Sequence, residues 1–298
     1  MKRKMTMVLA AMMAAGLMAG CSSGTSAETE AAAANEQTEA ETQEGSQEES
    51  AEETSQEETE AAAEGEQTEI LVAAAASLKN AYEEELIPMF QEQNPGITVT
   101  GTYDSSGKLQ TQIEEGLEAD VFMSAATTQM DALNEEGLID SETMVNLLEN
   151  KIVLIVPSSS ELGLASFEDI AKAETIALGD PASVPAGQYA EEALTNLGIW
   201  DEIQDKVSFG TNVTEVLNQV AAASADAGIV YATDAASMAD QVTVIAEAPE
   251  GSLAQPVIYP VAVVKTTAHA EAAKAFVDFL QTDEAMAVFE SYGFAPGQ

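Results

Sequence analysis

The chain has 298 residues, with 52 Asp and Glu against 10 Lys and Arg, one His, one Cys and a formal charge of −42. Such a charge makes nucleic acid a poor partner, because phosphate contacts are made by Lys and Arg. The single cysteine leaves no internal disulfide to form, and the acidity speaks mainly to solubility.

The chain opens on Lys2, Arg3 and Lys4, continues through an apolar stretch from Met5 to Met18 and closes on Ala19-Gly20-Cys21. A basic head, a short apolar core and small residues make a secretory signal peptide over 1–20. The apolar run is too short for a comfortable membrane span. Leu17-Met18-Ala19-Gly20-Cys21 resembles the bacterial lipobox, with Met18 where leucine is usual. That resemblance implies cleavage before Cys21 and lipidation of its sulfur, and two or more acyl chains anchor a protein stably. Residues 22–68 hold Glu, Ala, Gln, Thr and Ser, with no Lys, Arg, aromatic, Leu, Ile or Val. This composition buries too little apolar surface to offset ordering, so the segment reads as a disordered, self-repelling acidic tether.

From residue 69 onward the pattern alternates strands and helices, which argues for parallel-rich sheets covered by helices. Glu69–Ala75 reads as a buried strand and Ser77–Gln93 as an amphipathic helix stopped by Asn94-Pro95-Gly96. Next come strand Ile97–Tyr103, helix Gly107–Gly116, strand Ala119–Ser124 and helix Thr128–Glu136. Lys151–Pro157 is a strand buried on both faces, followed by helix Phe167–Ala173, strand Thr175–Gly179 and helix Gly187–Leu197. Helix Val213–Ala223, strands Ala227–Tyr231, Val242–Ala246 and Val257–Lys265, and helices Ala270–Gln281 and Asp283–Tyr292 complete the domain. The two long strands near 151–157 and 257–265 divide it in three. The expected arrangement is one lobe from 69–150 plus 257–298 and a second from 151–256, with two hinge crossings and a cleft between them.

Enzyme signatures are sparse. His269 stands alone near a helix start and reads as a solvated surface residue. No mature thiol, zinc-ligand spacing or phosphate-cradling glycine motif is present. Paired carboxylates such as Glu114-Glu115 and Glu191-Glu192 read as solvated helix faces. What recurs is a polar loop between a strand and a helix: Ser77 after Ala73–Ala76, Ser105-Ser106-Gly107, Val184-Pro185-Ala186-Gly187, and Thr211-Asn212-Val213. Each exposes first-turn N–H groups that lack intrahelical partners. Taken singly, each loop is equally an ordinary cap, since Ser, Asn and Gly are common there.

Their combination carries more. Ala74-Ala75-Ala76-Ser77-Leu78, Ser105-Ser106, Ala119–Ala125 (ADVFMSA), Gly179-Asp180-Pro181 with Val184–Gly187, Gly228–Asp234 (GIVYATD), Tyr259–Ala262 and Tyr292-Gly293-Phe294 occur in this order. The set resembles the periplasmic molybdate-binding proteins of molybdate ABC transporters, over nearly all of 70–298. The resemblance implies a type II periplasmic-binding-protein fold and places oxyanion contacts on Ser77, Ser106, Ala186, Val213 and Tyr231. Ser77 and Ser106 would give hydroxyl and N–H, Ala186 and Val213 N–H alone, and Tyr231 its phenol. Ser105 is a weaker candidate than Ser106. Gly107 and Lys108 stand where the family often continues with serine, so Gly107 is expected to loosen the loop, and Lys108 either steers the anion or is solvated. The matched set contains no carboxylate. The resemblance further implies a monomeric, non-enzymatic solute-binding protein that needs no cofactor and no direct cation ligand. It would bind molybdate or tungstate and deliver it to an ABC permease from a lipid anchor at Cys21 on the outer face of the membrane. Sulfate, or a surface lipoprotein without transport function, is the alternative.

Overall fold

The computed structural model describes residues 67–297. The signal peptide, Cys21 and nearly all of the tether lie outside the described residues. Strand β1 (Thr68–Ala75) buries Ile70 and the run Val72–Ala75. The segment after it is helical from Ala76 to Gln93, but its register changes: a 3-10 turn at Ala76–Leu78, an α turn at Lys79–Ala81, a π turn at Tyr82–Leu86 and α-helix at Ile87–Gln93. Pro88 supplies a reason, because it cannot donate to the carbonyl four residues back and its ring crowds that carbonyl. A locally widened turn accommodates it.

Strands β2 (Ile97–Asp104), β3 (Val121–Met123) and β4 (Val145–Asn150) follow, then β5 (Ile152–Pro157), β6 (Ile176–Gly179), β7 (Val207–Gly210), β8 (Ala227–Tyr231) and β9 (Val242–Glu247). The last two are β10 (Val257–Val263) and β11 (Ala295–Pro296). They form two sheets, a six-stranded one in the order β11-β4-β10-β3-β1-β2 and a five-stranded one in the order β7-β6-β8-β5-β9. The chain passes between the sheets at Lys151, between β4 and β5, and again between β9 and β10. Each sheet is therefore the centre of one lobe of a two-lobed α/β fold.

The sheets are mixed. β1 pairs in parallel with β2 and β3, and β6 with β7 and β8, as strand–helix–strand units require. β10 runs antiparallel to β3 and β4, and β5 to β8 and β9. The long apolar strands reverse because each follows or precedes a crossing rather than a helix on its own sheet. Strands β4 and β7 were not legible in the sequence; β7 leaves Ser208 and Phe209 exposed at its sheet edge, so no apolar run marks it. The region 167–172, read as a helix, is a 3-10 segment, Phe167–Lys172. Helices Ala270–Leu280 and Asp283–Ser291 close the six-stranded lobe, where Phe276 packs 5.0 Å from Phe90 and 6.0 Å from Tyr82 between ring centroids.

Candidate functional site

Four helix N-termini converge where the lobes meet. From the six-stranded lobe come the turn starting at Ala76 and the helix Ser106–Glu114, and from the five-stranded lobe Pro185–Asn196 and Val213–Ala221. They border a tight cavity, with free space of only about 10 Å³, whose lining includes Ser77, Asp104, Ser105, Ser106, Ala186, Val213 and Tyr231. All five contacts implied by the family resemblance thus lie on one cavity. First-turn N–H groups lack intrahelical acceptors, and the helix dipoles add partial positive charge at the same ends. Together they give the cavity a set of donors suited to an anion, without arginine.

Local sequence aims each terminus. Gly187 has no room for a side chain, since a Cβ there would lie 2.1 Å from the Gly179 carbonyl oxygen. Only this close approach brings the helix start at Pro185 up to the end of β6. Asn212 caps its helix by accepting from Glu215 N at 3.0 Å, and Glu215 reaches back to Thr211 N at 2.7 Å and Thr211 Oγ1 at 2.8 Å. This reciprocal cap fixes the entry of the chain at Val213 and holds the Glu215 carboxyl below its ordinary pKa, chiefly through the Thr211 N–H.

The hydroxyls are oriented by a second layer. Asn150 accepts from Lys151 N at 2.8 Å, which fixes its amide, and its Nδ2 donates to Thr233 Oγ1 at 2.9 Å and Tyr259 Oη at 3.3 Å. Tyr259 Oη lies 3.0 Å from Ser77 Oγ. Either hydroxyl can donate in that pair, and when Tyr259 donates, the Ser77 proton is free for the cavity. Ser106 Oγ likewise accepts from Ala125 N at 2.9 Å, freeing its proton. Tyr231 is 1 % exposed, packs 5.5 Å from Tyr259 between ring centroids, and makes a long 3.4 Å contact to the Ala125 carbonyl. Burial raises its pKa well above the ordinary phenol value, so it stays a donor.

Several expectations need correction. A carboxylate does line the cavity: Asp104 accepts from Ser105 N at 2.8 Å, from Lys108 Nζ at 3.1 Å and, across the lobes, from Asn212 Nδ2 at 3.3 Å. Lys108 is therefore neither free nor simply solvated; it neutralises Asp104 one helical turn away. Gly107 does not loosen its loop. Its N–H donates to the Ser183 carbonyl of the other lobe at 2.9 Å, so two backbones touch there. His269 is not merely solvated, since its Nδ1 lies 3.2 Å from Asp120 Oδ1. Asp120 also accepts from Leu71 N at 2.7 Å and from the Thr267 hydroxyl, a loop-pinning cluster outside the cavity lining.

The chain matches the bacterial extracellular solute-binding protein family over residues 70–295. It belongs to that family. Among similar solute-binding proteins, YvgL of Bacillus subtilis, provisionally named an ABC transporter substrate-binding lipoprotein, is 42 % identical over 76 % of this chain and 85 % of its own. The molybdate-binding protein ModA of Haemophilus influenzae is 41 % identical over 76 % of this chain and 89 % of its own. The periplasmic molybdate-binding protein of Azotobacter vinelandii shares the fold, with a TM-score of 0.68 at 22 % identity, covering 77 % of this chain and all of that one.

One buried acid lies just beyond the site of this solute-binding protein. Asp234 is 7 % exposed, its Oδ2 has no hydrogen-bond partner among the described residues, and burial pushes its carboxyl up to about 7. The phenols of Tyr231 and Tyr259 stay neutral beside it. Because the folded pKa lies above the unfolded one, this group favours folding most at low pH, and that contribution is lost as pH rises through 7. Asp234→Asn should therefore gain stability at pH 8 relative to pH 5, by on the order of 1–4 kcal/mol. Urea denaturation at the two pH values measures it; an unchanged pH slope would show that Asp234 titrates normally.

Proposed function

We propose that this protein captures a fully deprotonated tetrahedral oxyanion, molybdate or tungstate, between its two lobes and hands it to an ABC permease without catalysing a reaction. The observation that carries this reading is the convergence of four helix N-termini, two from each lobe, on one small cavity furnished with hydroxyl donors. An ion without protons needs donors only, and neutral donors can replace its water shell. The one carboxylate on the cavity is already occupied by three donors. The named contacts are Ser77, Ser106, Ala186, Val213 and Tyr231. Residues 69–150 with 257–298 form one lobe and 151–256 the other, and an anion touching both favours the closed arrangement by differential affinity. Sulfate is the competing ligand, also bound by donors alone. The protein acts as a monomer, secreted and anchored through lipid on Cys21, a reading supported by the signal pattern ending at that residue.

Purified protein should show a large rise in melting temperature with molybdate and tungstate, and little with phosphate, since bound ligand stabilises only the folded state. Cys21→Ser should release the protein from membranes and leave that response unchanged. A response to sulfate above molybdate would reassign the ligand, and no response to any oxyanion would end the transport reading.

A further inference from the structure

Ser105 precedes the helix Ser106–Glu114 and has the backbone of a helix cap, with φ −63° and ψ 144°. A serine here ordinarily turns its hydroxyl oxygen onto a first-turn N–H. This one does not, and no side-chain cap bond is made. Every other polar atom of the residue is committed: its N–H donates to Asp104 Oδ1 at 2.8 Å and its carbonyl accepts from Leu109 N at 3.1 Å. The hydroxyl alone is left over. Ser105 is 3 % exposed, and its Oγ is buried without a hydrogen-bond partner among the described residues. Buried hydroxyls are rarely left bare, because the loss of water is uncompensated. The residue lines the same cavity as Ser77, Ser106 and Tyr231.

We infer that the Ser105 hydroxyl is a further donor to the bound oxyanion, an assignment that rests on the anion-capture reading above. The stoichiometry supports it. The N–H groups of Ser77, Ser106, Ala186 and Val213 with the hydroxyls of Ser77, Ser106 and Tyr231 supply seven donors. Ser105 makes eight, two for each oxygen of a tetrahedral ion. Its hydroxyl, buried without a protein partner, is then the group left for ligand, and burying it bare costs stability.

That cost gives the test opposite signs in two measurements. Ser105→Ala should leave the melting temperature of the ligand-free protein unchanged or raised, since a bare buried hydroxyl is removed. It should weaken molybdate binding in titration calorimetry about tenfold to a hundredfold, the range for a hydrogen bond to a charged group. Parent-like affinity in Ser105→Ala would overturn the assignment while leaving the site intact. A lowered ligand-free melting temperature would overturn it too, by showing that the hydroxyl supports the fold. If the parent itself bound no oxyanion, the reading of the site would fall, and this donor with it.

Discussion

Gly107→Ala should weaken molybdate binding at least about a hundredfold, far more than it changes the stability of the ligand-free protein. Position 107 lies in the first turn of the helix Ser106–Glu114. Alanine is a better helix former than glycine by about 1 kcal/mol, so local structure gives no reason for glycine there. The reason lies across the cleft. A Cβ at 107 would stand 2.5 Å from the Ser183 carbonyl oxygen, 2.7 Å from its Cα and 2.9 Å from its carbonyl carbon. All three are backbone atoms, held in a turn where Ser183 N and Val184 N donate to Asp180 O at 3.0 and 2.8 Å. They cannot step aside as a flexible side chain can. The lobes must part by roughly 1 Å to restore ordinary van der Waals contact, and the Gly107–Ser183 bond is lost. An anion held by donors from both lobes then reaches one set or the other. Losing two charge-assisted hydrogen bonds, at about 1.5–3 kcal/mol each, corresponds to a hundredfold or more. Calorimetry with molybdate on the variant, beside a ligand-free melting curve, decides it. Parent-like affinity would mean that the cleft does not close on this contact.

Tyr231→Phe should weaken molybdate binding about tenfold to a hundredfold, by removing one hydroxyl and keeping the ring. This substitution isolates donation from packing. The ring is retained against Tyr259, 5.5 Å away between centroids, and what is forfeited is the 3.4 Å approach to the Ala125 carbonyl and the phenol's interaction with Tyr259. Folding stability should therefore change little. Ser106→Ala is a less clean probe, because Ser106 Oγ also accepts from Ala125 N at 2.9 Å and its removal strands a buried N–H. Ala186→Ser should matter little, since the role proposed for Ala186 is carried by its main chain. If Tyr231→Phe bound like the parent and Ala186→Ser abolished binding, Tyr231 would be no donor.

Much of the candidate site was legible because its parts are local. Ser77, Ser106, Ala186 and Val213 each lie in the first turn of a helical segment that follows a strand, so a few neighbouring residues identify them. Tyr231 ends a continuous apolar strand, Ala227–Tyr231. What escaped was pairwise. Asp104 reads in sequence as the end of a strand, and only Asn212, distant in the chain, shows it to be part of the lobe contact. Tyr259 sits within a long apolar strand, with nothing local to mark it as the group that orients Ser77. Ser105 and Ser106 are equally good caps in sequence. The distinction lies in which hydroxyl finds a protein partner.

By itself the sequence determined the alternation of strands and helices, the two long strands beside the crossings, the positions of the helix N-termini, and a domain with seven lysines and no arginine. These follow from hydrophobic periodicity and capping preferences, which act over a few residues. Only the tertiary structure decided the reversal of β5 and β10, the neutralisation of Asp104 by Lys108, the relay from Asn150 through Tyr259 to Ser77, and the backbone contact that requires glycine at 107. Apart from the Asp104–Lys108 pair, which spans one helical turn, each depends on groups far apart in the chain. No short-range preference records which of them will meet, because strand order and the docking of helices on each sheet bring together segments remote in sequence.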